Sequence, residues 1–361
     1  MTMTLLDRLL VTEVGSSFGV ALGLFTVLLV MNHLFYLARL IIGQGIAIQV
    51  ALVLMAYKIP YFIAFSVPMG ALLATVWGMG RLADHNELAA LRVSGVSLSR
   101  IAVPLIAAGV VVAAGTLVFA EGVVSLSEDQ YRVAMADVMA HGPELHPVEN
   151  VFFQAPIPQG NALYSAHRYD PRSRTLQAVT VVYMTPRQPL EVIEADHAVY
   201  AQGTQWTFES GHMYVLSEGQ MVSTKFDTLR VTVPRSPEDF TLAPKQPADM
   251  SIRELVGEIA RYRRNGGDVR SFVGELNTKV ATALSSVAFV LLAVPLSLRP
   301  HRSGPSMGFG MSILILVAYY LVAIPMQLAA DGHLLSPVLA AWLPDLLVGA
   351  AGVILLARAA R

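Results

Sequence analysis

The chain has 361 residues, of which 54% are hydrophobic and only 14% charged, with a mean hydropathy of +0.55 and a formal net charge of −1. Soluble domains carry about 25% charged residues, so these values indicate an integral membrane protein, and the net charge gives no basis for nucleic-acid binding. The absence of cysteine excludes disulfides, thiolate catalysis and cysteine metal sites.

Three apolar segments open the chain. A spanning helix needs about 20 mostly apolar residues, and the sequence predicts spans over 14–37, 48–79 and 101–120. Pro60 and Pro68 lie inside the second span, where proline usually kinks a helix. The first run is longer than a signal-peptide core and no small-residue cleavage pattern follows it, so we expect it to remain as a span.

A polar stretch, RLADHNELAALRVSGVSLSR at 81–100, joins the second and third predicted spans. Asp84 followed by Glu87 has the pattern of a capping box, and Gly95 stands where a short helix would end. The pattern predicts a helix over 83–95 of about three turns, with charges on one side and apolar residues on another. Such a helix either transmits force between a soluble partner and the spans or is merely a polar loop.

Residues 122–275 contain no run that could span a membrane and have the size of an ordinary domain. Six segments read as strands: ALYSAHRY, LQAVTVVYM, LEVIEADHAVYA, TQWTFES, HMYVLS and TKFDTLRVTV. Gly203, Gly211 and Gly219 are predicted turns between them. Short strands at this spacing favour an antiparallel sandwich or an open jelly roll.

A proline-rich stretch follows the predicted strands, with prolines at Pro234, Pro237, Pro244 and Pro247. Ser251 and Glu254 then repeat the capping-box pattern. They predict a flanking helix over 251–265 that stops near Gly266 and Gly267.

Three more spans are predicted over 280–298, 309–330 and 334–357. The fold class is therefore an α-helical membrane protein with six transmembrane helices and an extracytoplasmic, all-β, jelly-roll-like domain between helices 3 and 4. The predicted domains are residues 1–121, which contain the first three spans and the 83–95 helix, residues 122–275, which form the β domain with the 251–265 helix, and residues 276–361, which contain the last three spans.

The distribution of arginine predicts the orientation, because cytoplasmic connections are enriched in Lys and Arg. With the N-terminus inside, the short outer turns contain Arg39 alone. The inner segments contain Arg8, Arg81, Arg92, Arg100, Arg299, Arg302, Arg358 and Arg361. We therefore expect both termini and the 81–100 stretch in the cytoplasm, and the β domain on the far side of the membrane.

No motif for nucleotide hydrolysis is present. The four lysines are Lys58, Lys225, Lys245 and Lys279, and none follows a glycine, so a Walker A loop is excluded. Any ATP must be hydrolysed by another subunit. The sequence also lacks HExxH, so nothing supports a zinc metalloprotease of that class.

Ionisable groups within spans are costly and often functional. Lys58 and Asp345 lie inside predicted spans two and six. Each either snorkels to the outer interface or acts within the membrane, where Lys58 would meet a negatively charged lipid headgroup. Arg39, at the outer end of span one, is the better headgroup candidate or a plain membrane anchor, and His33 is a weaker candidate.

Two stretches resemble the LptF/LptG permeases of the lipopolysaccharide exporter. One is PYFIAFSVPMGALLATVWGMGRLADHNELAALRVSGVS, at 60–97; the other is ELNTKVATALSSVAFVLLAVPLSLRPHRSGPSMGFG with the later YYL and AAWLPDLL. The ELAALRVSGVS and SLRP segments resemble distinctive motifs of that family. The resemblance covers most of the chain, including the β domain by position and strand content.

The resemblance implies a subunit of the bacterial inner membrane, without a cofactor of its own, that pairs with a paralogous permease subunit. The pair would sit on a cytoplasmic dimer of ABC ATPase subunits, which binds ATP and Mg²⁺. It would extract lipopolysaccharide, and the β domains would pass it to a periplasmic bridge of similar jelly-roll domains. Spans one and five, at 14–37 and 309–330, would form lateral gates.

The resemblance also implies site residues. In that family an acidic residue of the coupling helix docks into a groove of the ATPase, and Glu87 matches it. The same motif contains the remaining ATPase-coupling candidates: Asp84, Leu88, Leu91, Arg92, Ser94 and Gly95. Arg39 matches the family's lipid-binding region by position, and His33 and Lys58 complete the lipid-binding candidates.

Two functions remain open from the sequence. The first is a permease subunit that exports lipopolysaccharide or a related envelope glycolipid. The alternative is a membrane-anchored scaffold for an envelope-spanning bridge without transport activity. Lipid adducts that form inside the β domain only with ATP would distinguish the first from the second.

Overall fold

The computed structural model describes residues 4–44, 46–141, 148–157, 160–170, 173–184, 191–217, 220–233, 245–264, 267–297 and 305–359. Several predicted features lie outside these residues: the turn at Gly219, the proline-rich stretch over 234–244, Gly266, Arg299, Arg302 and Arg361.

The chain forms two compact units. The first, called here the membrane unit, comprises Met1–Tyr36, Met55–Asp129 and Lys245–Arg361; the second, the β unit, comprises Leu37–Leu54 and Gln130–Pro244. Each is described by itself.

Among the described residues, six helices are long and apolar enough to cross a membrane, which confirms the predicted number of spans. The helices, in chain order, are α1 (Leu5–Gln44), α2 (Ile48–Asp84), α3 (Glu87–Val93), α4 (Leu98–Phe119), a π-helical turn (Ala120–Val124), α5 (Ser125–His141), α6 (Ile252–Arg264), α7 (Arg270–Ser297), α8 (Pro305–Asp331) and α9 (Pro337–Ala359). A 3₁₀ turn (Pro247–Asp249) precedes α6.

The third span does not end near residue 120 as predicted. Helix α4 continues through the π-helical turn into α5, so one helical rod runs on to His141. The prediction took the end of the apolar run for the end of the helix. Glu121, Glu128 and Asp129 end the run but are compatible with helix, and each has a defined partner, described below.

Glycines let the membrane-unit helices approach closely. A Cβ on Gly78 of α2 would lie 2.9 Å from the Cα of Val14 of α1, and a Cβ on Gly352 of α9 would lie 2.8 Å from the backbone nitrogen of Leu292 of α7. Contacts that real Cβ atoms essentially never make require glycine. Close packing of this kind is common between helices in membranes.

The β unit contains one antiparallel sheet in the strand order β1-β2-β3-β4-β5-β6. The strands are β1 (Val148–Ile157), β2 (Gly160–Asp170), β3 (Thr175–Met184), β4 (Glu191–Gln202), β5 (Gln205–Ser217) and β6 (Gln220–Thr232). The inserted all-β domain is confirmed, and its strands form a simple meander.

Two details of the strand prediction were wrong. β1 was not predicted, and the predicted turn at Gly211 lies in the middle of β5, which sequence reasoning had split in two. Gly211 is required by space, because a Cβ there would clash with the carbonyl oxygen of Glu194 on β4 and with the ring of Phe226 on β6. A strand glycine marks a close approach as well as a turn.

A continuous row of unpaired positions crosses all six strands. In every strand pair the register is the same immediately before and after this row, so no residue is inserted at it; the register shift between Tyr200 and Gln202 of β4 lies farther along the strand. We call this row the crease; it consists of Asn150, His167, Ala178, Asp196, Ser210 and Asp227. Ala178 and Ser210 have φ values of +49° and +54°.

The crease reverses the alternation of buried residues. In β5, Trp206 and Phe208 are buried before it and Gly211 after it, so the buried positions change from even to odd numbers. Residues from both sides therefore join one core. The sheet also curls, since the hydroxyl of Tyr164 on β2 lies 3.4 Å from the carbonyl oxygen of Thr232 on β6, although these strands are not neighbours.

Candidate functional site

The 81–100 stretch contains a shorter helix than predicted. Helix α3 has seven residues and begins at Glu87, and the predicted capping box is wrong: Asp84 ends α2, and Asn86 precedes α3 with a φ of 59° and no side-chain cap. The backbone N–H of His85 still donates to the Arg81 carbonyl, 3.0 Å away, so α2 continues up to the break. Asn tolerates left-handed backbone better than most residues, which allows the chain to turn there.

The C-terminal end of α3 agrees with the sequence prediction. Gly95 has a φ of +85°, and its N–H donates to the Arg92 carbonyl while that of Val96 donates to the Leu91 carbonyl, both at 3.0 Å. These two bonds form a Schellman motif, which favours glycine at the left-handed position.

Helix α3 has one buried anchor. Leu88 is 3% exposed and packs in a core cluster with Leu10 of α1, Leu82 of α2 and Ile101 of α4. The structure therefore corrects two expectations: Leu88 is already buried in this chain and offers little to a partner, and it does not share an apolar side with Val93, which is 90% exposed. Of the other coupling candidates, Leu91 is half-buried, and the rest are exposed: Asp84, Glu87, Arg92, Ser94 and Gly95.

Two arginines attach the ends of the 81–100 stretch to the start of α1. Arg81 Nη2 lies 2.9 Å from Glu13 Oε1 and donates to the hydroxyl of Ser17 at 2.7 Å. Arg100 binds Asp7 through both of its terminal nitrogens. The sequence used both arginines only as orientation signals and missed these contacts, because nothing local predicts a partner so far away in the chain.

Lys58 has a partner within the membrane unit. Its Nζ lies 2.8 and 2.6 Å from the two carboxylate oxygens of Glu128 of α5, and 5.2 Å from the centre of the Tyr61 ring. The side chains are 19% and 5% exposed, respectively. Neither of the two expectations for Lys58 included this carboxylate partner. The sequence missed Glu128 because it was assigned to a water-facing domain.

His33 packs among aromatic rings, with its ring centre 5.4 Å from those of Tyr36 and of Phe62. Phe62 lies one helical turn beyond Lys58, so His33 and Lys58 border the same part of α2. Arg39 is exposed on α1 and belongs to the β unit.

The side chain of Asp345 is buried rather than extended toward an interface. It is 7% exposed, and the hydroxyl of Tyr319 on α8 donates to its Oδ1 at 3.0 Å. Its Oδ2 is buried without a hydrogen-bond partner among the described residues. A buried carboxylate oxygen without a hydrogen-bond donor is costly in such a place.

Acidic residues along the π-helical turn and α5 bind the segment that returns from the β domain. Glu121 accepts hydrogen bonds from the backbone N–H groups of Ile252 and Arg253, at 2.7 and 3.3 Å, and so caps the N-terminus of α6. The second capping box is confirmed there: Ser251 N donates to Glu254 Oε2 at 2.7 Å, and Glu254 N donates to Ser251 Oγ at 3.2 Å.

Lys245 bridges the outgoing and returning segments. Its Nζ lies 2.8 Å from Asp129 Oδ1 and 2.8 Å from Glu254 Oε2. Burial alone would lower the pKa of Lys245 and raise that of Glu254. The hydrogen bonds and opposite charges outweigh burial, so the pKa of Lys245 is raised and that of Glu254 is lowered.

The described residues contain no group of three or more His, Asp or Glu side chains that could hold a metal ion. The ion pairs of the membrane unit include two arginine clamps on α1, the Lys58–Glu128 pair and the Lys245 bridge.

Comparisons with known proteins identify the family. The model of the lipopolysaccharide export system permease LptF/LptG family matches residues 8–358. The chain is also 21% identical over 277 residues to the lipopolysaccharide export system permease protein LptG of Haemophilus influenzae, covering 75% of this chain and 76% of that protein. With six spans, an inserted antiparallel sheet and a family match over nearly its whole length, the chain belongs to the LptF/LptG family of lipopolysaccharide export permeases.

Proposed function

We propose that this protein is the permease subunit of an ATP-driven exporter. It extracts lipopolysaccharide, or a related envelope glycolipid, from the inner membrane and passes it to a periplasmic bridge of jelly-roll domains. A paralogous permease subunit and a cytoplasmic ABC ATPase dimer complete the transporter, and the ATPase supplies the nucleotide chemistry. The observation that carries this proposal is the attachment of both ends of the 81–100 stretch to α1.

The contacts around α3 support a role in transmitting force. Glu87 and Arg92 are exposed for contact with an ATPase, while Leu88 anchors α3 in the core. A displacement of α3 therefore reaches α1 through Leu88 and through the clamps of Arg81 and Arg100. Since α1 is a continuous helix of 40 residues, it carries the displacement along the span that the family resemblance assigns to a lateral gate.

Lys58 and His33 of the membrane unit are proposed to bind lipid, and Arg39 of the β unit is a separate lipid-binding candidate from the family resemblance. A phosphorylated headgroup would compete with the Glu128 carboxylate for Lys58, since both are anions that accept charge-assisted hydrogen bonds. His33 borders the same part of α2 through Phe62. Arg39 remains available as an exposed cation on α1. Exchange of Glu128 for phosphate would keep an anionic partner on Lys58 in both states.

The proposed orientation has both termini and α3 in the cytoplasm and the β domain in the periplasm. The excess of arginine in the inner connections supports it. Substituted cysteines at Ser94 and Ser210, tested with a membrane-impermeant thiol reagent in intact cells, check it, because only Ser210→Cys should react.

Glu87→Arg tests the proposed coupling. We expect loss of co-purification with the ATPase and at least a tenfold loss of ATP-dependent lipid release, because the variant reverses the charge that would dock into the ATPase. Arg358→Glu is the control, since it reverses an exposed charge on the face predicted to be cytoplasmic but outside the 81–100 stretch. Unchanged coupling in Glu87→Arg would refute the proposed role of α3.

Photocrosslinking from inside the β domain separates export from a scaffold function. A crosslinker at Val181, in the core of the sheet, should form lipid adducts only when the ATPase is present and ATP is supplied. Adducts with protein alone, independent of ATP, would favour the scaffold.

A further inference from the structure

The membrane unit contains a second polar site that the proposed function does not use. A cavity of about 440 Å³ lies among the start of α7, the end of α8, the start of α9 and the segment before α6. Its volume falls within the range of small-molecule sites, about 300–1,000 Å³. None of the residues that line it belongs to the 81–100 stretch or to the Lys58 site.

The described lining combines one permanent cation with three carboxylates. The cation is Arg270, and the carboxylates are those of Asp268, Glu275 and Asp331. A purely anionic ligand would be repelled by three carboxylates, and a simple cation would leave the guanidinium without an anionic partner. A ligand with both an anionic and a cationic group would satisfy both sides of the cavity.

The guanidinium of Arg270 has unused hydrogen-bonding capacity. It carries five N–H donors, of which one, on Nη2, donates to the Leu335 carbonyl at 2.7 Å. Nε is buried and has no acceptor among the described residues. Buried unsatisfied donors are rare in folded proteins and call for an explanation. An anionic ligand in the cavity would engage the remaining donors of this side chain.

The three carboxylates differ in the hydrogen bonds and ion pairs that they already form within the protein. Asp268 accepts from the backbone N–H of Arg270 at 2.9 Å and so caps α7. Glu275 lies 3.7 Å from Lys279, a distance too long for a hydrogen bond. Asp331 is exposed and has no ion pair among the described residues. Glu275 and Asp331 are therefore the acceptors available to a ligand ammonium group.

The surroundings of the cavity fit a lipid. The cavity lies where α8 ends and α9 begins, at the ends of two spans. Beside it, Leu328, Leu334 and Leu339 expose 66%, 81% and 59% of their surface. Exposed aliphatic side chains next to a polar pocket suit hydrocarbon chains below a headgroup.

We propose that this cavity binds the headgroup of a zwitterionic phospholipid that carries a primary amine. The phosphate binds Arg270, and the ammonium group binds Glu275 and Asp331. The lipid would be a bound component of the protein, distinct from the exported lipid, so this proposal does not depend on transport or on the ATPase.

Lipid retention tests the proposal. The full-length protein, purified with its partner subunits, would be placed in nanodiscs with equal amounts of phosphatidylethanolamine, phosphatidylcholine and phosphatidylglycerol. It would then be stripped in detergent and analysed by native mass spectrometry. We expect phosphatidylethanolamine to be retained about tenfold over each other lipid, because only it has both a phosphate and a hydrogen-bonding ammonium group.

Three variants and one control complete the experiment. Arg270→Gln, Glu275→Gln and Asp331→Asn should each reduce this retention about tenfold. Asp331→Asn changes an exposed side chain, so it tests the site even if the loss of the Arg270 bond to Leu335 disturbs the fold. Arg264→Gln, which removes an exposed charge of α6 outside the cavity, should have no effect. Equal retention of phosphatidylglycerol, absence of retained lipid, or unchanged retention in Asp331→Asn and Glu275→Gln would overturn the proposal.

Discussion

Arg100 binds both carboxylate oxygens of Asp7, with Nη1 2.6 Å from Oδ1 and Nη2 3.1 Å from Oδ2, although 93 positions of chain separate the two residues. A bidentate arginine–carboxylate pair fixes direction as well as distance. The pair therefore sets how the first turn of α1 lies against the end of the 81–100 stretch. It gives the proposed coupling a defined mechanical route.

Breaking this pair should reduce coupling more than folding. We expect Asp7→Asn and Arg100→Gln each to lower ATP-dependent lipid release severalfold, with little loss of stability because exposed ion pairs contribute little to it. The exchange Asp7→Arg with Arg100→Asp should recover part of the release. Arg8→Gln, an exposed neighbour, is the control. Normal release in both single variants would contradict the proposed route.

The Lys58–Glu128 pair predicts a pattern of non-additive stability. Lys58→Met or Glu128→Gln alone leaves a buried polar group without its partner, and we expect a loss of about 3–5 kcal/mol. The double variant Lys58→Met with Glu128→Leu should lose much less, because no buried charge remains. Thermal and denaturant unfolding in detergent measure this. Additive losses would show that the two side chains do not interact.

The contact between α7 and α9 predicts opposite outcomes at two glycines. Gly352→Ala places a Cβ 2.8 to 2.9 Å from backbone atoms of Leu291 and Leu292, so the helices must separate, at a cost of about 1–3 kcal/mol. Gly310→Ala in α8 meets nothing within 4 Å. It should be neutral or slightly stabilising, since alanine favours helix. Unfolding of the purified variants checks the difference.

The crease predicts opposite effects at adjacent positions of β5. Gly211→Ala forces a Cβ against the Glu194 carbonyl and the Phe226 ring and should destabilise the β domain by about 1–3 kcal/mol. Ser210→Gly should be neutral or stabilising by up to about 1 kcal/mol, because it relieves a left-handed backbone. Protease resistance of the β domain reports both. Equal destabilisation by the two variants would contradict the description of the crease.

The Lys245 bridge predicts a pH dependence. The pKa of Glu254 in the folded protein is below its ordinary value of 4.5. Its contribution to the free energy of unfolding is therefore fully present above pH 4.5 and is lost as the pH falls through the pKa of the folded state. Glu254→Gln should therefore be less stable than the wild type at pH 7, by about 1 kcal/mol or less because Glu254 is partly exposed. The difference should disappear in acid.

The matching control for that experiment is Glu258→Gln, which removes a surface pair with Arg261 on the same helix. Its melting temperature should track that of the wild type across the same pH range. The raised pKa of Lys245 matters at alkaline pH. Its contribution to the free energy of unfolding is present below about pH 10 and is lost as the pH rises through the pKa of the folded state.

Spans and strands could be predicted from the sequence because each depends on a local pattern, whether apolar length or alternation. The two capping boxes show where local pattern fails. Ser251 and Glu254 form one because a helix begins after them. Asp84 and Glu87 do not, because α2 continues past Asp84 and turns at Asn86. Identical spacing cannot tell the start of one helix from the end of another.

The candidate site was only partly predictable for a different reason. The sequence singled out Lys58 as an ionisable group within a span and used Arg100 as an orientation signal. It did not identify Glu128 or Asp7 as their partners, since these contacts join distant parts of the chain. Leu88 shows the reverse error. The motif marked it as a contact for a partner, but its burial against Leu10 and Ile101 depends on how three helices meet.

The crease also limits how the β domain can change during evolution. In β2 to β6, the positions that face the core change between odd and even numbers, and the change falls at the same row in each strand. A one-residue deletion on one side of Ala178 or Ser210 would turn half of a strand inside out while leaving its composition almost unchanged. Strands exchanged between relatives should therefore be joined at this row, and residues on its two sides should be compared as separate blocks.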